Sequence, residues 1–185
     1  MASFRHLTRE ELERGLAHVL QSPENNGTLE LIVKRPEIDQ RESVTAGRLE
    51  IEHGLVGDSW RSRGGDMADG SADPDVQITI MNSRVVALIA DDDNRRELAG
   101  DQLYLDLDLS GANLPPGTKL AIGDAIIEVT ELPHTGCRKF ADRFGRDATV
   151  FVNSGLGRKQ NFRGINARVV QSGDLKVGDV AQKLI

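Results

Sequence analysis

The single cysteine of this 185-residue chain, Cys137, stands in the run Leu132-Pro-His-Thr-Gly-Cys-Arg-Lys-Phe140. The run reads as a strand exit, a glycine, a thiol and a helix start. A helix N-terminus together with Arg138, Lys139 and Arg143 favours the thiolate, the form of cysteine that attacks electrophiles and binds soft metals, so an accessible thiol with a pKa below the usual ~8.5 is expected. His134, three residues upstream, could add positive charge or orient the sulfur. The competing reading makes Cys137 a small buried hydrophobe. His134-x-x-Cys137 has the spacing of half a zinc site, but one cysteine cannot complete a several-thiolate site or an internal disulfide. A Cys-His acyl-transfer pair is disfavoured, because no third orienting group and no oxyanion hole are nominated.

Two further stretches could meet an anion. In Asn161-Phe-Arg163-Gly-Ile-Asn-Ala-Arg168, Arg163 beside Gly164 could offer a planar, permanently charged fork close to the backbone; the alternative is a surface ion pair. His53-Gly-Leu-Val-Gly-Asp58-Ser-Trp60-Arg-Ser-Arg63-Gly-Gly65 is a glycine-rich basic loop without a P-loop or dinucleotide fingerprint. Asp66, Asp69, Asp73 and Asp75 follow without calcium-loop spacing and read as a mobile, solvated loop.

The elements that must position these groups are mostly strands. Thr8 opens a capping box with Glu11, and Leu12, Leu16, Val19 and Leu20 recur at helical spacing, predicting a short helix over 8–20. Strands are predicted over Thr28–Val33, Leu49–Glu52, Val76–Ile80, Leu103–Leu109, Lys119–Thr130 with a turn at Gly123-Asp124, Ile165–Gln171 and Val180–Ile185. The alternation Val76-Gln-Ile-Thr-Ile80 predicts one buried and one polar face. Asn82 can cap a helix over 83–90 that ends in Asp91-Asp92-Asp93, and short helices are expected over 138–144 and 147–153. Phe140, Phe144, Phe151 and Phe162 should share one local core. Many short strands with glycine turns predict a mainly β barrel or sandwich with a few short α-helices.

Composition bounds the function classes. A hydrophobic content of 38% against 28% charged residues suits one packed domain. The formal charge of -6 disfavours nucleic acid, which needs a basic face to displace counterions. No apolar run approaches the ~18 residues of a membrane span, and the N-terminal sequence lacks a secretory pattern, so no membrane partner and a cytoplasmic location are expected.

His134-Thr-Gly-Cys137-Arg-Lys-Phe, Arg143-Phe-Gly145, Asn161-x-Arg163-Gly164-Ile, Ala167-Arg-Val and Val177-Gly-Asp179 occur in the order found in MOSC domains, the molybdenum cofactor sulfurase C-terminal domain family, which the chain resembles over about residues 29–180. Gly54-Leu-Val-Gly-Asp58 fits a glycine-aspartate motif near that family's first strands. The resemblance implies a MOSC-type β-barrel of the pyruvate kinase β-barrel-like kind over 29–185, with residues 1–28 as a helical extension packed on it. It implies that Cys137 carries sulfur or ligates the molybdenum of molybdenum cofactor, making it the catalytic and metal-binding candidate. Arg163, Asn161, His134, Arg138, Asp58 and Arg63 are the implied cofactor-binding candidates. Reduction of N-hydroxylated compounds is one implied activity, on a small-molecule substrate; a non-catalytic binding module for an anion or a partner protein is the alternative. Two departures stand out. Arg63-Gly64-Gly65 replaces the His-Gly-Gly of many relatives, and the extra N-terminal β domain of the cofactor-binding reductases has no counterpart, which argues against cofactor binding. The pyridoxal-phosphate module of cofactor sulfurases is also absent, so sulfur would come from a donor protein such as a cysteine desulfurase.

Overall fold

The computed structural model describes residues 5–64 and 67–184; Gly65 and Asp66 of the basic and acidic loops, and Ile185, lie outside them. Helix α1 (Arg9–Val19) starts where the capping box predicts, with Thr8 and Glu11 bonded reciprocally. Strands β1 (Gly27–Lys34), β2 (Glu42–Val44), β3 (Ala46–Glu50) and β4 (Gly54–Leu55) follow. After a 3-10 turn at Pro74–Val76 come β5 (Ile78–Asn82), α2 (Ser83–Ala90), a longer 3-10 segment (Asp93–Ala99), β6 (Leu103–Asp106), β7 (Lys119–Ile122) and β8 (Ala125–Pro133). The chain ends with α3 (Arg138–Asn153), α4 (Gly155–Lys159), β9 (Ile165–Gln171), β10 (Gly173–Lys176) and β11 (Val180–Leu184).

Seven strands close into a barrel in the order β11-β7-β8-β9-β5-β6-β1, and β1 pairs back onto β11 through Gly27↔Ala181 and Thr28↔Val180. All these pairs are antiparallel except β5 with β6, which is why α2 crosses between them. Strand β2 extends β1, and β10-β3-β4 form a small separate sheet.

Two apolar clusters result. Leu29, Ile32, Ile78, Ile80, Leu103, Leu105, Ile127 and Ala167 point into the barrel. Val33, Met81, Tyr104 and the buried faces of α1, α2 and α3 form the second cluster, which includes all four phenylalanines expected to cluster. Phe140 and Phe144 lie 5.0 Å apart by centroid and Phe151 and Phe162 5.2 Å.

This second layer corrects the expected polar face of the Val76–Ile80 strand. Val76 belongs to the 3-10 turn, and all of β5 is buried because helices cover its outer side. Gln77 and Thr79 survive burial through hydrogen bonds: Gln77 Oε1 accepts from Val169 N–H at 2.8 Å, and Gln102 Oε1 accepts from Thr79 N–H at 2.7 Å. The acidic loop is also more anchored than expected. Asp73 caps the first 3-10 turn and its carbonyl accepts from Trp60 Nε1, while Asp75 meets Arg168 at 3.3 Å.

Candidate functional site

Strand β8 ends at Pro133 and α3 begins at Arg138, so Cys137 sits at a strand-to-helix junction as the N-cap of α3. Its side chain is exposed and makes no capping hydrogen bond. The buried-hydrophobe reading is therefore excluded. Two reciprocal hydrogen bonds fix the chain just before it: Gly136 N–H donates to Asn153 Oδ1 (3.0 Å), and Asn153 Nδ2 donates to Gly136 O (3.1 Å). The two helices expected in this region run as one element, kinked at Gly145, whose φ of 89° is non-helical.

The first two turns of α3 rest on a cluster of cations. The Arg163 guanidinium carbon lies 5.0 Å from the ring centroid of Phe140, and Lys139 and Arg143 both reach Asp39, at 3.6 and 2.9 Å. Behind them is the turn Leu98–Asp101, whose successive carbonyls each accept from a different arginine. Arg143 Nη1 donates to Leu98 O (2.9 Å), Arg163 Nη2 to Ala99 O (3.1 Å) and Arg35 Nη1 to Gly100 O (3.0 Å). Arg41 lies against the same turn: a Cβ built on Gly100 would come within 3.3 Å of Arg41 Nη2 and 3.6 Å of Arg143 Nη1, so glycine leaves room for both guanidinium groups.

Three carboxylates balance part of this charge. Fully buried Asp101 accepts from Arg163 Nη1 at 2.6 Å, and its N–H donates to Tyr104 Oη at 3.2 Å. Asp58, whose side chain is fully buried, takes a bidentate contact from Arg35, at 2.8 Å to Nε and 3.0 Å to Nη2, and accepts from the Arg35 and Trp60 N–H groups at 2.9 Å each. Such fork-to-fork geometry is what makes a buried ion pair tolerable. Asp39 is the third and is exposed.

His134 faces this cluster, with Nδ1 3.4 Å from Asp101 Oδ1. Burial lowers its pKa to about 4, and Arg163 and Arg35 add to that while Asp101 opposes it. His134 is therefore neutral at pH 7 and does not supply the positive charge considered for it from the sequence. Arg41 and Arg63 are likewise held below the ordinary guanidinium value, first by burial. For Arg41 the neighbouring charges of Arg143 and Arg35 then lower it further, and for Arg63 that of Arg35.

The sequence-nominated residues thus divide. Cys137, His134 and Arg163 gather around the start of α3. Arg163 is 7% exposed and its two Nη groups are engaged within the protein, so it is a buried ion pair rather than a surface one, and its charge is taken up by Asp101. Arg138 is exposed and makes no ion pair among the described residues. Asp58 anchors Arg35, and half-exposed Arg63 stands 4.0 Å from the same carboxylate. Asn161, in a left-handed conformation (φ 50°), donates to Leu109 O at 2.8 Å and serves the turn after α4. Asp101, Arg35 and Arg41 were missed. The one local signal was the polar pair Asp101-Gln102 immediately before an apolar strand.

The family model described as MOSC domain matches residues 70–182. Among solved structures, the YuaD protein from Bacillus subtilis superposes with a TM-score of 0.59 at 17% identity, covering 85% of this chain and 95% of that one. YiiM from Escherichia coli gives 0.54 at 19%, covering 85% and 70%, and YiiM from Geobacillus stearothermophilus 0.54 at 16%, covering 87% and 73%. At these identities the likeness concerns the fold. No curated protein matches the sequence.

Proposed function

This chain belongs to the MOSC domain family, and on that premise we propose that Cys137 is its working group, a thiol that carries sulfur as a persulfide or binds molybdenum cofactor. One observation supports the reading. The chain's only thiol is exposed at a helix N-cap, and the first two turns of that helix rest on the arginine cluster. An accessible sulfur is what both sulfur transfer and metal ligation require.

The residues fit molybdenum cofactor in two respects: Cys137 offers one soft donor, and the cationic cluster beside it suits an anionic group. Among the described residues no three His, Cys, Asp or Glu gather to hold a metal, so the metal would arrive with most of its ligands. When bound, the cofactor would supply redox chemistry such as reduction of an N-hydroxylated small molecule. The role of this chain would be to hold it through Cys137 and that cluster. For sulfur carriage the donor would be a protein of the cysteine desulfurase class, and a cytoplasmic location belongs to the same proposal. Among the described residues no helix is long and apolar enough to cross a membrane.

The test is cyanolysis for labile sulfur together with molybdenum analysis of natively purified protein. Cyanolysable sulfur or stoichiometric molybdenum that disappears in Cys137→Ser is the expected result. Absence of both from the natural protein leaves the alternative, a non-catalytic binding module for a small anion or a partner protein.

A further inference from the structure

We infer that Asn153 is a positioning residue for Cys137: its side-chain amide clasps Gly136, the residue joined to the cysteine, and so fixes where the thiol stands. The functional meaning of this role rests on the reading of Cys137 as the working group; the clasp itself is geometry.

Gly136 and Asn153 are 17 positions apart, one just before α3 and the other its last residue. In a straight helix, at 1.5 Å rise per residue, that separation amounts to about 25 Å. The carboxamide nevertheless meets both polar backbone groups of Gly136, at 3.0 and 3.1 Å. The helix must therefore fold back on itself, and it does so at Gly145. With φ 89° and ψ 168°, that residue occupies a backbone region open essentially to glycine alone. A Cβ there would also lie 2.8 Å from His6 Nδ1, on the segment that leads into α1.

The returning half of α3 presents one face to the loop. A Cβ on Gly136 would lie 3.1 Å from Asn153 Nδ2, 3.2 Å from Val152 Cγ2 and 3.5 Å from Thr149 Cγ2. Thr149, Val152 and Asn153 share that face by their i, i+3, i+4 spacing. Thr149 Oγ1 in turn donates to Gly145 O at 3.0 Å, which ties the face to the bend. Of the three contacts with Gly136, only that of Asn153 is directional. One donor and one acceptor satisfied together set both the place and the tilt of the glycine backbone, as a neighbouring strand would.

This restraint passes to Cys137 through one planar, trans peptide unit, because the oxygen that Asn153 holds belongs to the same plane as the cysteine nitrogen. The Cys137 side chain is exposed and makes no capping hydrogen bond, so the place of the sulfur is set by the backbone beneath it. The sulfur stays accessible, and the far end of its own helix steadies it.

The test is NMR relaxation and amide exchange on the full chain. In the unsubstituted protein the Gly136 N–H should exchange at least tenfold more slowly than in an unstructured peptide, and Gly136 and Cys137 should show order parameters of about 0.85, as rigid backbone does. In Asn153→Ala, and in the size-matched Asn153→Asp, which keeps the acceptor and loses the donor, both should fall below about 0.6. Asn113→Ala is the control. It removes a carboxamide that also ties distant segments, donating to Glu24 O at 2.9 Å and Asp108 O at 2.7 Å, and it should lower Tm without changing the order at Cys137. Cyanolysable sulfur or molybdenum per chain should drop at least threefold in the Asn153 variants while the thiol remains titratable, unlike in Cys137→Ser. Free exchange of the Gly136 N–H in the unsubstituted protein, unchanged order in both Asn153 variants, or an equal loss of order in Asn113→Ala overturns the proposal. The two readings fail separately. Order lost in Asn153 variants of a protein that holds neither sulfur nor molybdenum removes the working-group reading and leaves the clasp, whereas sulfur or molybdenum that stays at its full level in those variants removes the positioning role alone.

Discussion

His134 Nδ1 and Asp101 Oδ1 face each other at 3.4 Å without a hydrogen bond, while the other oxygen of the same carboxylate holds Arg163 at 2.6 Å. The imidazole is held neutral by burial and by Arg163 and Arg35, with a pKa of about 4 against the ordinary 6.5. The unfolded chain therefore binds more protons than the folded one between those values. Stability should be full above pH 6.5 and fall as the pH drops toward 4, by roughly 1–3 kcal/mol from this group. His134→Gln should flatten that part of the profile in urea denaturation. An unchanged slope would show that His134 is not buried as a neutral ring. Glu11 also loses stabilising contacts on acidification, but its pKa of about 2 places that loss at lower pH.

Asp101 should be among the costliest residues to replace. Asp101→Asn leaves Arg163 buried beside Phe140 without a counter-charge, and removing one member of a buried pair costs about 3–5 kcal/mol. Chemical denaturation measures this directly. In the double variant Asp101→Asn with Arg163→Met much of the loss should return, since the stranded charge is gone. A double variant as unstable as the single one would mean that packing, rather than the charge, is what Asp101 contributes.

Gly164 adopts φ +113°, and a Cβ there would lie 2.2 Å from Ile80 O, at the start of the β5–β9 pairing. Gly164→Ala combines backbone strain with a clash against main chain that cannot move freely, so a loss of about 2–4 kcal/mol is expected. Thermal unfolding reads it.

Exposure of Cys137 predicts stoichiometric alkylation of the native protein by iodoacetamide, at a rate no more than tenfold below that of a small model thiol and without denaturant. A rate a hundredfold or more below the model thiol would show the sulfur enclosed and would remove the chemical basis for sulfur carriage.

Local pattern carried much of the fold. Capping at Thr8 and Asn82, alternation in Leu103–Leu109 and the glycine turns each appear in the structure at or near the expected place. The two-to-four-residue strands β2, β4 and β10 were not legible, because too few residues alternate to register and their pairing depends on distant partners. The site shows the same division. Cys137 was identifiable from its neighbours in sequence. Arg35, Arg41 and Asp101 are single charges scattered over the chain, and only the pairing of β1 with β6 and β2 brings them to one turn. Asn161 and Arg163, two positions apart in a suggestive motif, do different work because the left-handed turn at Asn161 sends one side chain to Leu109 and the other to Asp101.

The seam Gly27↔Ala181 and Thr28↔Val180 joins the first barrel strand to the last. During synthesis β1 can pair with β6 and β2, but this edge stays open until residues 180 and 181 have left the ribosome. The most non-local contact of the barrel is thus also the last to become available, and contacts of that kind slow folding. Nascent chains stalled before Val180 should therefore expose an unpaired strand edge, the sort of surface that chaperones retain and that neighbouring chains can capture.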